Sequence, residues 1–434
     1  MNNSQTFTDF LENLKIKNFE TISSRYHRIT KVLNSECYGI DNDTSHSLYV
    51  GSIGRKTAIN RKSDIDMLFW LPVEKFVLYN SYGTNGQSAL LQYVKRILKN
   101  TYSSTEMSGD GQVVVVSFDD GMTIELVPCF EREDGSFIYP DTHDGGSWKK
   151  TDPRSEIDAI NDLNKDVYGH LRNICKMLRA WKNKNGVSIS GLLIDTLAYN
   201  FVNANRDWLK NQSYASYDNL CKEVFYYLSK LDDNKSYWLA PGSNQQVNNK
   251  GKFARKAKKA YDKVLEAIEK KENKTVNNVW RDIFGNDFPA NQDALDESQS
   301  GANYVVDREQ FIEDRYPMKV KYDLVVECNV SKNGFRTKIL KDFLKLDVPI
   351  GNSLEFYIAK NDVPKPYKVF WKVRNVGPEA IRRNNLRGEI TRDFGREKKT
   401  ENSLFIGPHY VECYIIKDGA CVARDRLDVP IKES

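Results

Sequence analysis

Asp64 and Asp66 stand two residues apart at the head of the apolar run Ile65-Asp66-Met67-Leu68-Phe69-Trp70. In a strand, side chains at i and i+2 share one face. Two carboxylates placed together in this way repel each other and lose hydration unless a cation joins them. Mg²⁺ prefers oxygen ligands and takes a few carboxylates together with substrate phosphates. The pair therefore suits a site for two Mg²⁺ ions, with Mn²⁺ able to substitute. Just upstream, Gly51 and Ser52 follow a short apolar run; a glycine there lets backbone N–H groups approach a phosphate, and the serine hydroxyl adds a donor. Arg55, Lys56, Thr57, Arg61 and Lys62 make the next loop basic, an answer to triphosphate charge. Glu125, in Met122-Thr123-Ile124-Glu125-Leu126-Val127, supplies a third acid expected on a neighbouring strand, binding the metal that activates an attacking hydroxyl. A bare D-x-D is weak evidence, but Gly-Ser, D-x-D and a later strand-borne acid together predict metal-dependent nucleotidyl transfer.

These residues need strands to hold them. Ser47–Tyr49, Ile65–Leu71, Val113–Ser117 and Met122–Val127 are short and rich in apolar or β-branched residues, and read as strands. Ala89–Asn100 between them reads as a helix, as does the stretch from about Phe7 to Asn34, whose basic face carries Arg25, His27, Arg28 and Lys31. The layout is α/β (α+β), with a mixed sheet. Helices follow over Val167–Lys182, Ile189–Ala204 and Gly251–Lys271, the last with an apolar stripe and lysines facing away. Asn291–Tyr304 reads as a loop or linker. From Met318 the pattern turns to strand-rich runs, Leu354–Ile358, Lys368–Val373 and Val411–Ile416, which read as an all-β sandwich. The expected division is a catalytic core with its N-terminal helix over 1–165, a helical lobe completing the nucleotide cleft over 166–300, and a β-rich domain over 318–434.

Lys and Arg number 64 against 59 Asp and Glu, a formal net charge of +5. That excess is too small for a nucleic-acid coat but allows local basic clefts. Seven scattered cysteines without C-x-x-C spacing, and only five histidines, give no zinc cluster and fit reduced core thiols. No signal peptide and no membrane-length apolar run is visible, so a cytoplasmic protein without a membrane partner is expected.

The stretches GSIGRKTAINRKSDIDMLF, TIELVPCF, GGSWKKTDP, KMLRAWK followed by Ser190, WLAPGSNQQV and VWRDIFGNDFP resemble the DNA-polymerase-β-like nucleotidyltransferases. Within them they look like the bacterial cGAS/DncV-like enzymes (CD-NTases, SMODS type). The tail, with VFWKVRNVGPEA, NNLRGEI and GPHYVECYIIKDG, resembles the AGS-C sensor-like domain fused to some of these enzymes. The resemblance implies a cyclic oligonucleotide synthase that condenses two or three nucleoside triphosphates, ATP and GTP foremost, and releases pyrophosphate. Its product would be a second messenger read by a downstream effector in a bacterial antiphage (CBASS) system, with RNA or another ligand as activator. It further implies that Asp64 and Asp66 bind both metals and that Glu125 completes the triad. Many relatives have Asp at that third position; Glu keeps the charge and lengthens the arm. Gly51 and Ser52 would meet the donor triphosphate, Arg179 or Lys176 would be its basic contact, and Ser190 a further ligand. Gly191 stands where the animal relative carries a base-stacking aromatic, and that relative's zinc-bearing DNA-sensing insertion is absent.

Several features have plainer readings. Arg179 and Lys176 fit a solvated helix face equally well, and Ser190 fits a helix cap. Lys372, Arg374, Arg382, Arg383 and Arg387, near Tyr367, Trp371 and His409, suit either a phosphate ligand or a basic rim. The rival functions are a transferase making linear 2′–5′ oligonucleotides or modifying RNA ends, and a non-catalytic nucleotide sensor.

Overall fold

The computed structural model describes residues 3–60, 64–271, 273, 276–290, 309–332, 338–340, 348–383 and 385–432. Its first part runs α1 (Asn3–Asn13), α2 (Phe19–Tyr38), β1 (Ser47–Tyr49), α3 (Gly51–Gly54), β2 (Ile65–Trp70), α4 (Val73–Asn80), α5 (Gly86–Thr101), β3 (Glu106–Asp110), β4 (Val113–Ser117), β5 (Thr123–Glu131), β6 (Phe137–Asp141) and β7 (Ser147–Thr151). The sheet is mixed, in the order β1-β2-β5-β4-β3, with β6 and β7 continuing from β5. Strands β2 and β5 are parallel and every other pair is antiparallel. Ile65, Met67, Phe69, Ile124 and Leu126 point to one face, where they share a core with Ile22, Tyr26, Ile29 and Leu33 of α2 and Leu90, Val94 and Leu98 of α5. Period-2 alternation then sends Asp64, Asp66 and Glu125 to the opposite face.

The predicted N-terminal helix is two helices, and the break has a physical cause. The apolar stripe of α2 enters the sheet core, whereas Phe7, Phe10, Leu11 and Leu14 pack into a second core with Ile174, Trp181, Phe225, Phe284 and Phe288. One straight rod cannot feed both. We propose on this ground that the first helix belongs with the helical lobe rather than with the catalytic sheet. That lobe comprises α6 (Pro153–Asp166), α7 (His170–Asn185), α8 (Gly191–Ala204), α9 (Arg206–Lys210), α10 (Tyr217–Ser229), α11 (Ala254–Glu269) and α12 (Val276–Phe284), with a hairpin of β8 (Tyr237–Leu239) and β9 (Gln246–Asn248). Among the described residues no helix is long and apolar enough to cross a membrane. The linker expected at Asn291–Tyr304 lies outside the described residues.

The C-terminal part holds β10 (Leu324–Ser331), β11 (Lys338–Ile339), β12 (Val348–Pro349), β13 (Ser353–Asn361), β14 (Lys368–Arg374), β15 (Arg387–Arg392), β16 (Lys398–Asn402), β17 (Gly407–Lys417) and β18 (Ala420–Lys432). They form two sheets, β11-β10-β13-β16 and β12-β18-β17-β14-β15, which enclose one core. Leu324, Val326, Leu354 and Phe356 of the first sheet meet Trp371, Val373, Val411 and Ile415 of the second. This is the sandwich its alternating runs predict. Its basic cluster is no free phosphate site. Lys372 is fully buried between Glu309 (2.6 Å) and Glu412 (3.1 Å), Arg387 is held by Glu401 at 2.6 Å, and Arg382 and Arg383 both reach Glu379.

The sandwich docks on the helical lobe through buried charge. Arg426 bonds Asp282 of α12 at 2.7 Å, Lys256 of α11 approaches Asp425 at 3.4 Å, and Lys184 of α7 approaches Glu412 at 3.7 Å. Gly186, with φ 60°, lies so close to β18 that an added Cβ would stand 2.0 Å from the Arg424 carbonyl oxygen.

Candidate active site

The site grows from the β2–β5 register. Asp66 is directly opposite Glu125, and Ile65 opposite Ile124, so Asp66 and Glu125 are neighbours on the face turned from the core. Asp64 joins them two residues earlier and accepts hydrogen bonds from Thr123 Oγ1 and, at 2.8 Å, from Lys319 Nζ. Burial comes first among the causes that push the Asp66 carboxyl up to about 7, followed by the like charges of Glu125 and Asp64. Glu125 is raised by burial and then by Asp64. A protein that gathers three acids against their own repulsion is shaped for positive charge. Among the described residues no three His, Cys, Asp or Glu groups form a finished metal cage. The oxygen-only donor set and the crowding of three acids nonetheless fit a hard divalent cation.

Gly51 secures this geometry. It has φ 59°, and a Cβ added to it would lie 1.9 Å from Asp66 Oδ2. The carboxylate therefore rests against a bare Cα. Val50 N donates to the Asp66 carbonyl at 3.0 Å, locking the β1–α3 turn onto β2. Ser52 follows, half-buried, in the first turn of α3.

The expected basic contacts fall elsewhere. Arg55 is only 5% exposed and Arg179 only 7%. Arg55 Nε donates to Asp195 Oδ2 at 2.9 Å, and Arg179 Nη1 and Nη2 donate to Asp195 Oδ1 and Oδ2 at 2.6 and 2.9 Å. Arg55 also reaches Glu156 at 3.1 Å, and Thr57 Oγ1 donates to Asp195 at 3.0 Å. Both guanidiniums are paired with carboxylates, and the structure does not bring them to the three acids. They act as a rivet joining the α3 loop to α6, α7 and α8. Burial would raise the Asp195 carboxyl, but Arg179 and Arg55 outweigh it and hold it at about 2. Asp195 has one sequence signal, a lone acid in the apolar helix Gly-Leu-Leu-Ile-Asp-Thr-Leu-Ala. Ser190 caps α8, accepting from Leu193 N at 3.1 Å, and its side chain remains exposed. Lys176 is half-buried, and the charges acting on it are Lys15, Arg172 and Glu12, not the three acids. Arg61 and Lys62 lie outside the described residues.

Two lysines were not anticipated. Lys182 sits one turn beyond Arg179, and burial, with Arg179 and Lys321 nearby, lowers its ammonium to about 8. Lys321 acts in turn on Asp66 and Glu125. The heptapeptide Lys-Met-Leu-Arg-Ala-Trp-Lys does contain Lys182, but its nearness to Lys321 depends on the fold.

Residues 1–164 match the family described as the Second Messenger Oligonucleotide or Dinucleotide Synthetase domain, and residues 306–432 match the Adenylyl/Guanylyl and SMODS C-terminal sensor domain. The chain is a nucleotidyltransferase. This nucleotidyltransferase is 21% identical over 282 residues to a probable cyclic nucleotide synthase of Bacillus cereus (strain VD146), spanning 56% of this chain and 82% of that protein. Similar solved structures include E. coli CdnC in a HORMA complex (TM-score 0.49, 14% identity, 66% of this chain and 98% of that one). Others are Bradyrhizobium diazoefficiens CdnG with GTP (0.48, 9%, 65% and 94%) and Vibrio cholerae DncV, a cyclic AMP-GMP synthase (0.44, 15%, 67% and 88%). The nucleotidyltransferase thus carries its three acids inside the matched synthetase domain, while Lys319 and Lys321 belong to the matched sensor domain.

Proposed function

We propose that this nucleotidyltransferase condenses nucleoside triphosphates, ATP and GTP foremost, into a cyclic di- or trinucleotide that serves as a second messenger in antiphage defence. The observation that carries the reading is the trio Asp64, Asp66 and Glu125 on one face of adjacent strands. Divalent cations held there, Mg²⁺ or Mn²⁺, would supply the activation of the attacking hydroxyl and the neutralisation of polyphosphate charge. The carboxylates position that charge at a fixed depth in the cleft. Asp64, held by Thr123, and Asp66, seated on Gly51, cannot swing apart, so the attacking and leaving oxygens meet a preformed site. Ser52, at the turn facing the acids, would donate to the donor triphosphate, and Ser190 would offer its exposed hydroxyl. The synthetase and sensor domains, with the likeness to a probable cyclic nucleotide synthase, support a cyclic product over a linear one.

The test is incubation with all four nucleoside triphosphates and Mg²⁺ or Mn²⁺, followed by phosphatase treatment and mass spectrometry. A phosphatase-resistant product lacking terminal phosphates is expected. Linear, phosphatase-sensitive oligomers would overturn the cyclase reading, and the absence of any pyrophosphate release would overturn the catalytic one.

A further inference from the structure

The segment leading into the C-terminal sandwich crosses the mouth of the catalytic sheet. Residues Glu313 to Met318 line, with Ile53, Ile59, Ile65 and Met122, a cleft of about 360 Å³ between the two parts. The next residues run along the start of β18. Lys319 N donates to the Cys421 carbonyl at 2.9 Å, Lys321 N to that of Val422 at 2.9 Å, and Cys421 N to that of Pro317 at 2.8 Å. From the helical side, Ser188 Oγ donates to the Lys321 carbonyl at 3.3 Å. The backbone is thus fixed from two directions. In such an extended segment Lys319 and Lys321 share one face, and Val320 turns the other way into a small core with Met318, Tyr414 and Cys421.

That shared face is the catalytic one. Lys319 Nζ lies 2.8 Å from Asp64 Oδ1. Lys321 is exposed, and its charge acts on Asp66, Glu125 and Lys182 together. Among the described residues, the charges acting on Lys182 are those of Arg179 and Lys321. Among the described residues, this positive charge has one carboxylate in direct contact, while Arg55 and Arg179, the expected phosphate contacts, are committed to Asp195. A half-buried ammonium among cations is costly unless an anion completes it.

We propose that Lys319 and Lys321, delivered by the C-terminal domain, are polyphosphate contacts of the nucleotide site and form with Lys182 a cationic cradle that neither domain holds alone. The inference rests on the nucleotidyltransferase reading of the three acids. With Asp64 engaged in holding a cation, the Lys319 ammonium would be free to meet phosphate oxygens. The sandwich is then a structural part of the active site as well as an appended sensor, and any ligand that shifts it alters nucleotide affinity directly.

The test uses the full chain and inorganic tripolyphosphate with Mg²⁺, followed by calorimetry, for wild type and for Lys319→Gln, Lys321→Ala, Lys321→Arg and the Lys319→Gln/Lys321→Ala double variant. Thermal melting checks that each is folded. Loss of one charge-assisted phosphate contact should weaken tripolyphosphate binding at least about tenfold, and the double variant more. Lys321→Arg should retain most of the affinity, because its charge and donors remain. With nucleotides, KM should rise while kcat changes little. Equal or tighter tripolyphosphate binding in the folded alanine and glutamine variants would overturn the proposal and identify the segment as a plug. If wild type binds tripolyphosphate but forms no product from any nucleotide, the synthase reading fails. The binding comparison still decides the role of the lysines.

Discussion

At the residue scale, the site is built at a cost to stability. Asp66 has its carboxyl raised to about 7 from 3.8 by burial and by Glu125 and Asp64. An acid whose folded pKa lies above its unfolded value releases its proton more readily in the unfolded chain, so it destabilises the fold as pH rises above about 4 and does so fully above about 7. Asp66→Asn removes that burden. The expected outcome is loss of product formation together with a metal-free melting temperature higher by a few degrees at pH 8. An inactive variant that melts lower than wild type would contradict the like-charge account. Gly51→Ala tests the seat of the same carboxylate. Its Cβ would strike Asp66 Oδ2, at a backbone φ of 59° that alanine resists, so kcat should fall roughly 10²-fold while the protein remains folded. Near-normal turnover in this variant would mean that Asp66 does not need its present position.

At the element scale, Asp195 joins three segments, the α3 loop, α7 and α8. It is fully buried and receives Arg55, Arg179 and Thr57. Asp195→Ala leaves the buried Arg179 guanidinium without an anion and Arg55 with Glu156 alone, a loss of about 3–5 kcal/mol, to be read from the urea midpoint. Its folded pKa of about 2 lies below the ordinary 3.8, so its stabilisation is complete above that ordinary value and disappears as pH falls through about 2. Acid unfolding should therefore shift upward in Asp195→Asn, which cannot supply that charge. This network also shows where sequence reasoning stops. β1, β2, β4 and β5 were legible because alternation and β-branching are local properties, and Asp64, Asp66 and Glu125 came with them. For Arg179 the resemblance implies a triphosphate contact, and a basic residue on an amphipathic helix fits a solvated face equally well. The helix α7 is buried nearly all round, and what decides the role of Arg179 is Asp195 on α8, a contact made by folding. The single N-terminal helix failed for a related reason. Periodicity reports that an apolar stripe exists, not that its two halves serve different cores.

At the scale of the whole molecule, the decisive contact is between the helical lobe and β18. Lys184, Lys372, Arg424 and Arg426 surround Glu412; burial alone would raise its carboxyl, and these four cations hold it well below the usual carboxylate range. The same strand that carries Arg424 and Arg426 anchors Lys319 and Lys321 through Cys421 and Val422. Displacing the sandwich from α7 should therefore withdraw the two lysines from the acids. Gly186 is the lever, since any side chain there meets the Arg424 carbonyl and the left-handed backbone resists it. Gly186→Val should weaken tripolyphosphate binding as Lys321→Ala does, although it lies at the domain junction. If both act through one displacement, the effects will not add, and the Gly186→Val/Lys321→Ala double variant should bind about as Gly186→Val alone. Full additivity would show that the junction and the lysines influence the nucleotide independently. The sandwich would then not position its lysines through β18.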